Sequence, residues 1–303
     1  MKRRLLSGVL ALVCLLLLSA PLQAAEKLES QFFDSDGTRI HYVVVGEGEP
    51  VVLIHGFTAN LQQNWNMHGI IDALKDDFHV IAIANRGHGR SDKPHDPEAY
   101  GMEMIKDPIR LLDHLGIEKA HFVGYSLGGF ITGKLMTTFP DRVLTATLGG
   151  AGWYDPDSER MEFMTELADA LESGNGIAPL IKMLNPPGNP EPTEEQVKAL
   201  NMMVMLVNDP KALAAVIRGT QKWKVPVEVI RENEIPTLAL IGEVDPLKDG
   251  VDELKRVMPD LNVVVIEGAN HMDATSNPTF RESLLEFLRE HSKAAAEPVA
   301  AGN

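Results

Sequence analysis

The chain of 303 residues contains a single cysteine, Cys14. It lies inside the apolar stretch near the N-terminus, so a chain that loses this stretch has no disulfide available and must rest on its core. Basic clusters are missing after that stretch, and the formal net charge is −15. Partners that need local positive charge, such as nucleic acid and anionic membrane surfaces, are therefore disfavoured. No internal repeat is visible, which excludes a stacked-repeat architecture. Histidines and carboxylates at a recognised metal-ligand spacing are absent too: His88, Asp92, His95 and Asp96 share a Pro- and Gly-rich segment that reads as a solvated loop, so no metal is expected. Neither a metal nor an organic cofactor is implied by the sequence.

What is present is ordinary for a soluble globule, with 44% hydrophobic and 23% charged residues. A chain of this length can bury one large core, and one catalytic domain with an insertion is the natural reading. The first residues stand apart: Lys2, Arg3 and Arg4 precede an apolar run over residues 5–18, followed by Pro21 and the small residues Ala24 and Ala25. This is the order of a secretory signal peptide over residues 1–24, and it predicts a protein exported to the periplasm or the medium. A membrane anchor is the rival reading, but the run is shorter than the roughly 20 apolar residues that span a bilayer.

Two strands, 28–33 and 39–45, are joined by a turn at Asp34–Ser35–Asp36–Gly37. The run Val51–Val52–Leu53–Ile54 is the pattern of a strand buried on both faces. Strands and helices then alternate: a helix over about 61–75, a strand at 78–84, a helix ending at Leu115 with Gly116 as its cap, and strands at 121–123 and 142–148. Pro108 is accommodated if Asp107 is an N-cap and the helix starts there. From 153 to 232 the alternation gives way to helices between prolines, with Asp155, Thr193 and Asp209 as N-caps and Gln196 completing a capping box. It resumes with strands at 237–241 and 262–266 and helices at 249–258 and 278–291. The expected architecture is α/β: a mostly parallel eight-stranded sheet with helices on both faces and an inserted helical cap. Its parts are a core over 25–152 and 233–293, a cap over 153–232 and a loose tail over 294–303.

Chemistry concentrates at the strand ends. Gly124–Tyr125–Ser126–Leu127–Gly128 is a G-x-S-x-G between a strand and a helix, where a tight turn projects the serine hydroxyl above the sheet edge. A serine hydroxyl is a weak nucleophile and needs a base and a group to orient that base. His271 follows the last strand, and Asp245 follows the strand after the cap, with Glu243 as its rival. The chain has ten histidines, and His41, His79, His114, His121 and His291 suit surface or core positions. Oxyanion donors are expected from the backbone N–H groups of Leu127 and of Phe57, in His55–Gly56–Phe57.

These motifs resemble the α/β-hydrolase superfamily, in particular its capped lipase, esterase and C–C hydrolase-like members. The resemblance runs over about 28–289 and rests on His55–Gly56–Phe57, on the segment from Asn85 to Asp92, on the serine elbow, on Gly242 with Asp245, and on Asn270–His271–Met272. It implies the same nucleophile, base, acid and donors, and a mainly structural role for residues 86–92. Asn85 departs from the pattern, since many relatives carry Asp there. Related dehalogenases and epoxide hydrolases use an Asp nucleophile, and Ser126 disfavours those chemistries. The expected activity is hydrolysis of a small or medium carboxylic ester through an acyl-enzyme. C–C bond hydrolysis, lactone opening, perhydrolysis and receptor-like ligand binding with slow turnover are the alternatives. The expected partner is a small-molecule substrate, which the cap should select. Six cap methionines, Met161, Met164, Met183, Met202, Met203 and Met205, are candidates for an apolar pocket lining.

Overall fold

The computed structural model describes residues 28–154 and 160–292. The leader with Cys14, the tail, and the expected helix start at Asp155 lie outside the described residues. Eight strands form one sheet: β1 (Gln31–Ser35), β2 (Thr38–Val45), β3 (Glu49–Ile54), β4 (Phe78–Ile83), β5 (Ala120–Tyr125), β6 (Val143–Gly149), β7 (Thr237–Gly242) and β8 (Asn262–Ile266). Their order in the sheet is β1-β2-β4-β3-β5-β6-β7-β8. β1 and β2 pair antiparallel, β2 joins β4 antiparallel, and every other pairing is parallel.

The central strands are apolar on both faces because helices cover both. Val52, Ile54, Ile81 and Phe122 face one core layer, and Val51, Leu53, Val80 and Val123 face the other. On the first side lie α2 (Met102–Leu115) and α3 (Leu127–Thr138), with α9 (Lys248–Val257) beyond them; on the second lie α1 (Ile70–Leu74) and α10 (Pro278–Glu290). Between β6 and β7 come α4 (Arg160–Glu172), α5 (Ala178–Met183), α6 (Glu194–Met205), α7 (Pro210–Thr220) and α8 (Val227–Arg231). A smaller cluster, including Leu167, Leu171, Ile177, Leu213 and Ile217, packs α4, α5 and α7 on one another. The capping box of Thr193 with Gln196 forms at the start of α6, and Asp209 caps α7 by accepting from the backbone N–H groups of Lys211 and Ala212.

Three expectations are corrected. The helix expected over 61–75 is a π-helical turn, Gln62–Asn66, followed by the short α1; Gly69, at φ 69°, separates them. The helix around Pro108 is continuous from Met102, and Asp107 is not its N-cap. The Asp107 carboxylate instead binds the Arg86 guanidinium at 2.6 and 2.7 Å and accepts from the Ser35 hydroxyl. Proline inside a helix costs about 3 kcal/mol, and the burial of Met104, Ile105, Ile109, Leu111 and Leu112 on this helix offsets that. The loop of His88 is not wholly solvated: His88 is fully buried, and Asp92 accepts from the backbone N–H of Arg39.

Candidate active site

The functional side chains gather at the carboxyl ends of β3, β5, β7 and β8, as expected of an open parallel sheet. Ser126 sits between β5 and α3 with φ 53° and ψ −117°. A side chain rarely adopts this conformation, and the surroundings must hold it there. Its N–H donates to the Gly149 carbonyl at 2.7 Å, and its carbonyl accepts the first α3 hydrogen bond from Phe130. The flanking glycines are required by space. A Cβ on Gly124 would collide with the Gly128 backbone, and one on Gly128 with the Ile54 carbonyl.

His271 joins the two expected partners. Its Nδ1 lies 2.8 Å from Asp245 Oδ2, and its Nε2 lies 3.0 Å from Ser126 Oγ. A carboxylate accepts only, so Nδ1 carries the proton and Nε2 presents a lone pair to the serine hydroxyl. Asp245 is 3% exposed and His271 4%, whereas Ser126 is only partly buried and can be reached from outside. The other Asp245 oxygen accepts from the Leu247 N–H at 2.8 Å, which holds the carboxylate in place. The rival Glu243 turns away and accepts from the Gly268 N–H.

The loop after β3 lies beside the nucleophile: a Cβ on Gly56 would stand 3.2 Å from Ser126 Cβ. Ser126 is thus adjoined by the Gly56–Phe57 loop and by Leu127, the first residue of α3. The Leu127 N–H is one of the helix N-terminal donors that have no intrahelical acceptor. In the loop, the Gly56 N–H is held by Asn64 Oδ1 at 2.8 Å. The Gly56 carbonyl lies 2.8 Å from His55 Nδ1. Because His55 Nε2 accepts from the Asn85 N–H at 3.0 Å, Nδ1 must be the protonated nitrogen and the donor to Gly56. Burial, reinforced by His88, pushes the His55 pKa down to about 3, so the ring stays neutral. A trans peptide directs its C=O and N–H to opposite sides, so pinning the Gly56 carbonyl aims the Phe57 N–H.

Sequence reasoning missed three supports. Tyr125 donates from its hydroxyl to the His271 carbonyl at 2.5 Å, and its ring lies 5.3 Å from the imidazole. Burial raises the Tyr125 pKa well above the usual tyrosine value, so the hydroxyl keeps the proton it donates. Asn64 and the side chain of Asn85 are the others; the latter donates to the His55 carbonyl. Tyr125 occupies a variable position of the serine motif, and Asn64 sits in a segment read as plain helix, so neither carried a signal. Of the cap methionines, Met164 lines the apolar cavity beneath the cap, while Met202 and Met203 are exposed. The Met161 side chain lies outside the described residues. Among the described residues no cluster of three or more His, Cys, Asp or Glu side chains is placed to hold a metal ion.

With this geometry in view, comparison with known proteins is informative. Residues 49–173 match the model of the alpha/beta hydrolase fold family. A Bacillus subtilis (strain 168) protein provisionally named 2-succinyl-6-hydroxy-2,4-cyclohexadiene-1-carboxylate synthase is 27% identical over 269 residues, covering 84% of this chain and 96% of that protein. The enol-lactonase from Burkholderia xenovorans LB400 superposes with a TM-score of 0.70 at 22% identity, over 86% of this chain and 100% of that one. A thermophilic esterase from Thermogutta terrifontis gives a TM-score of 0.70 at 24% identity, over 88% and 100%. The structural likenesses establish the fold. The chain has the α/β-hydrolase fold, and its residues 49–173 carry the match to that family.

Proposed function

We propose that the protein is a serine hydrolase that cleaves a small or medium carboxylic ester through an acyl-enzyme. The carrying observation is the unbroken chain from Asp245 through His271 to Ser126, at 2.8 and 3.0 Å. Ser126 Oγ attacks the ester carbonyl carbon while its proton passes to His271 Nε2. The Phe57 and Leu127 N–H groups receive the resulting oxyanion. Collapse of the tetrahedral intermediate expels the alcohol, which takes the proton from His271. A water molecule then gives a proton to His271, attacks the acyl carbon, and releases the acid with Ser126 restored. Asp245 keeps the imidazole in the tautomer that can accept and stabilises it once protonated.

The order of charge, apolar run and small residues in the leader motivates a proposal of export, and a small molecule is the proposed partner. Export is tested by expressing the full chain and sequencing the N-terminus of the secreted or periplasmic product; an uncut Met1 in the cytosol overturns it.

The activity is tested with a chain-length series of p-nitrophenyl esters and the Ser126→Ala variant. Serine-dependent turnover with a length optimum is the expected result. Undiminished activity in Ser126→Ala would sink the scheme. No turnover of any ester by the unaltered protein would shift the reading to C–C bond hydrolysis or to ligand binding.

A further inference from the structure

A cavity of about 190 Å³ lies between α3, the end of β6, the last residue of α7 and the 221–225 segment that follows it. α3 contributes Leu127, Phe130 and Lys134, which recur at helical spacing on one stripe. The stripe begins at the residue covalently next to Ser126. At 1.5 Å per residue, Lys134 lies about 10 Å further along the helix axis. Trp153, Trp223 and Met164 also line it, so the walls are mostly apolar.

Two polar groups in this wall are incompletely matched. The Lys134 ammonium has three protons to donate and makes one hydrogen bond, to the Lys224 carbonyl at 2.9 Å. Among the described residues no carboxylate pairs with it. Its partial burial lowers its pKa below the usual lysine value, the mark of a cation losing hydration without a counter-charge. The second group is the indole N–H of Trp223, which is buried and finds no acceptor among the described residues. A buried indole N–H without an acceptor is costly in an apolar wall, and an ammonium that loses hydration there gains from a counter-charge. A ligand carboxylate in this cavity supplies the counter-charge that Lys134 lacks among the described residues.

We infer that this cavity is the acyl chamber and that it takes an acyl group carrying a carboxylate at the end remote from the ester, with Lys134 as its counter-ion. The inference rests on the ester-hydrolase reading for the direction of binding, ester at Ser126 and carboxylate at Lys134. Size supports a medium substrate. A cavity of about 150 Å³ holds one benzene ring, so this chamber accommodates a ring or a chain of about six to eight carbons and excludes a long lipid tail. Gly133 also lines the chamber, and a Cβ there would meet only Leu148, at 3.9 Å. A larger side chain at 133 therefore has room to grow into the space.

The test measures binding rather than turnover, using the full chain carrying Ser126→Ala. Monomethyl octanedioate is compared with methyl octanoate by calorimetry and by tryptophan fluorescence. Two of the three tryptophans in the sequence line the chamber. The half-ester should bind about tenfold tighter than the neutral ester, the effect of one charge-assisted contact. Lys134→Met should erase that preference, Lys134→Arg should keep it, and Gly133→Leu should weaken both ligands. Equal affinity for the two esters before any change at Lys134 overturns the inference, as does a preference that survives Lys134→Met. Failure of the two readings is separable. Charge-selective binding with no ester hydrolysis by the unaltered protein removes the hydrolase reading and leaves the carboxylate chamber, whereas serine-dependent hydrolysis with equal binding does the reverse.

Discussion

His55 Nε2 accepts the backbone N–H of Asn85 at 3.0 Å. That bond fixes the imidazole tautomer, and through it the direction of the Phe57 N–H beside Ser126. His55 is thus a positioning residue acting through the Gly56 peptide. In His55→Phe, kcat for an activated ester should fall by about 10- to 100-fold, less than the about 10²–10³ lost when an oxyanion donor is removed outright. KM should change little. A boronate that mimics the tetrahedral intermediate should bind more weakly in proportion to kcat, while a substrate-like ester should not. Equal losses for both ligands would assign His55 to packing alone.

Asp245 accepts from His271 and from the Leu247 N–H. In Asp245→Asn the side-chain amide can donate to Nδ1 and so favours the tautomer with its proton on Nε2, facing Ser126. The expected loss in kcat is about 10⁴-fold with the fold retained. Circular dichroism beside steady-state kinetics checks this, and activity within a factor of a few of the original would remove Asp245 from the mechanism.

Gly128 has no room for a side chain, since a Cβ would collide with the Ile54 carbonyl at the end of β3. Gly128→Ala should destabilise the protein by about 3 kcal/mol through overpacking. Gly133→Ala, on the same helix, should be neutral or stabilising, because its Cβ has space and alanine favours helix by about 1 kcal/mol. Urea denaturation of the pair separates a steric demand of the elbow from a general intolerance of change in α3.

Acid stability follows from three histidines held neutral by burial. His41 and His88 are lowered to about 4 and His55 to about 3, from an ordinary value of 6.5. In each case desolvation is the largest cause; nearby Arg90 and Arg39 add to it at His41, His88 at His55, and Lys93 at His88. Below pH 6.5 the unfolded chain takes up protons that the folded one refuses. Stability from these groups is therefore full above pH 6.5 and is lost as pH falls towards 4, at about 1.4 kcal/mol per pH unit for each histidine. Denaturation midpoints measured from pH 7 to pH 4 should fall steadily. Replacing His41 by Gln should reduce the slope, and a midpoint flat across this range would refute the assignment.

The alternation of buried strands and amphipathic helices was readable because runs such as Val51–Val52–Leu53–Ile54 demand cover on both faces. The serine motif, His271 and Asp245 were readable from their places just after strands. Harder to see were relationships made by packing between distant segments. Periodicity carried α2 past Pro108 only once the burial of its apolar face was known, and Asp107 was read as a cap because its partner Arg86 is remote in sequence. His88 was placed in solvent on the Gly and Pro content of its loop, yet that loop folds inward against His55 and Phe57, with ring separations of 5.3 and 5.7 Å. Tyr125 had no signal, since only the assembled sheet brings its hydroxyl to the His271 carbonyl.

Ser126 precedes His271 by 145 residues, and the helices of α4–α8 lie between them. During synthesis Ser126 and the Gly56–Phe57 loop emerge from the ribosome long before His271 exists. The chain of hydrogen bonds from Asp245 through His271 to Ser126 therefore cannot form until the segment after the last strand is delivered. Any activity that needs this chain of bonds is a readout that the whole sheet has closed.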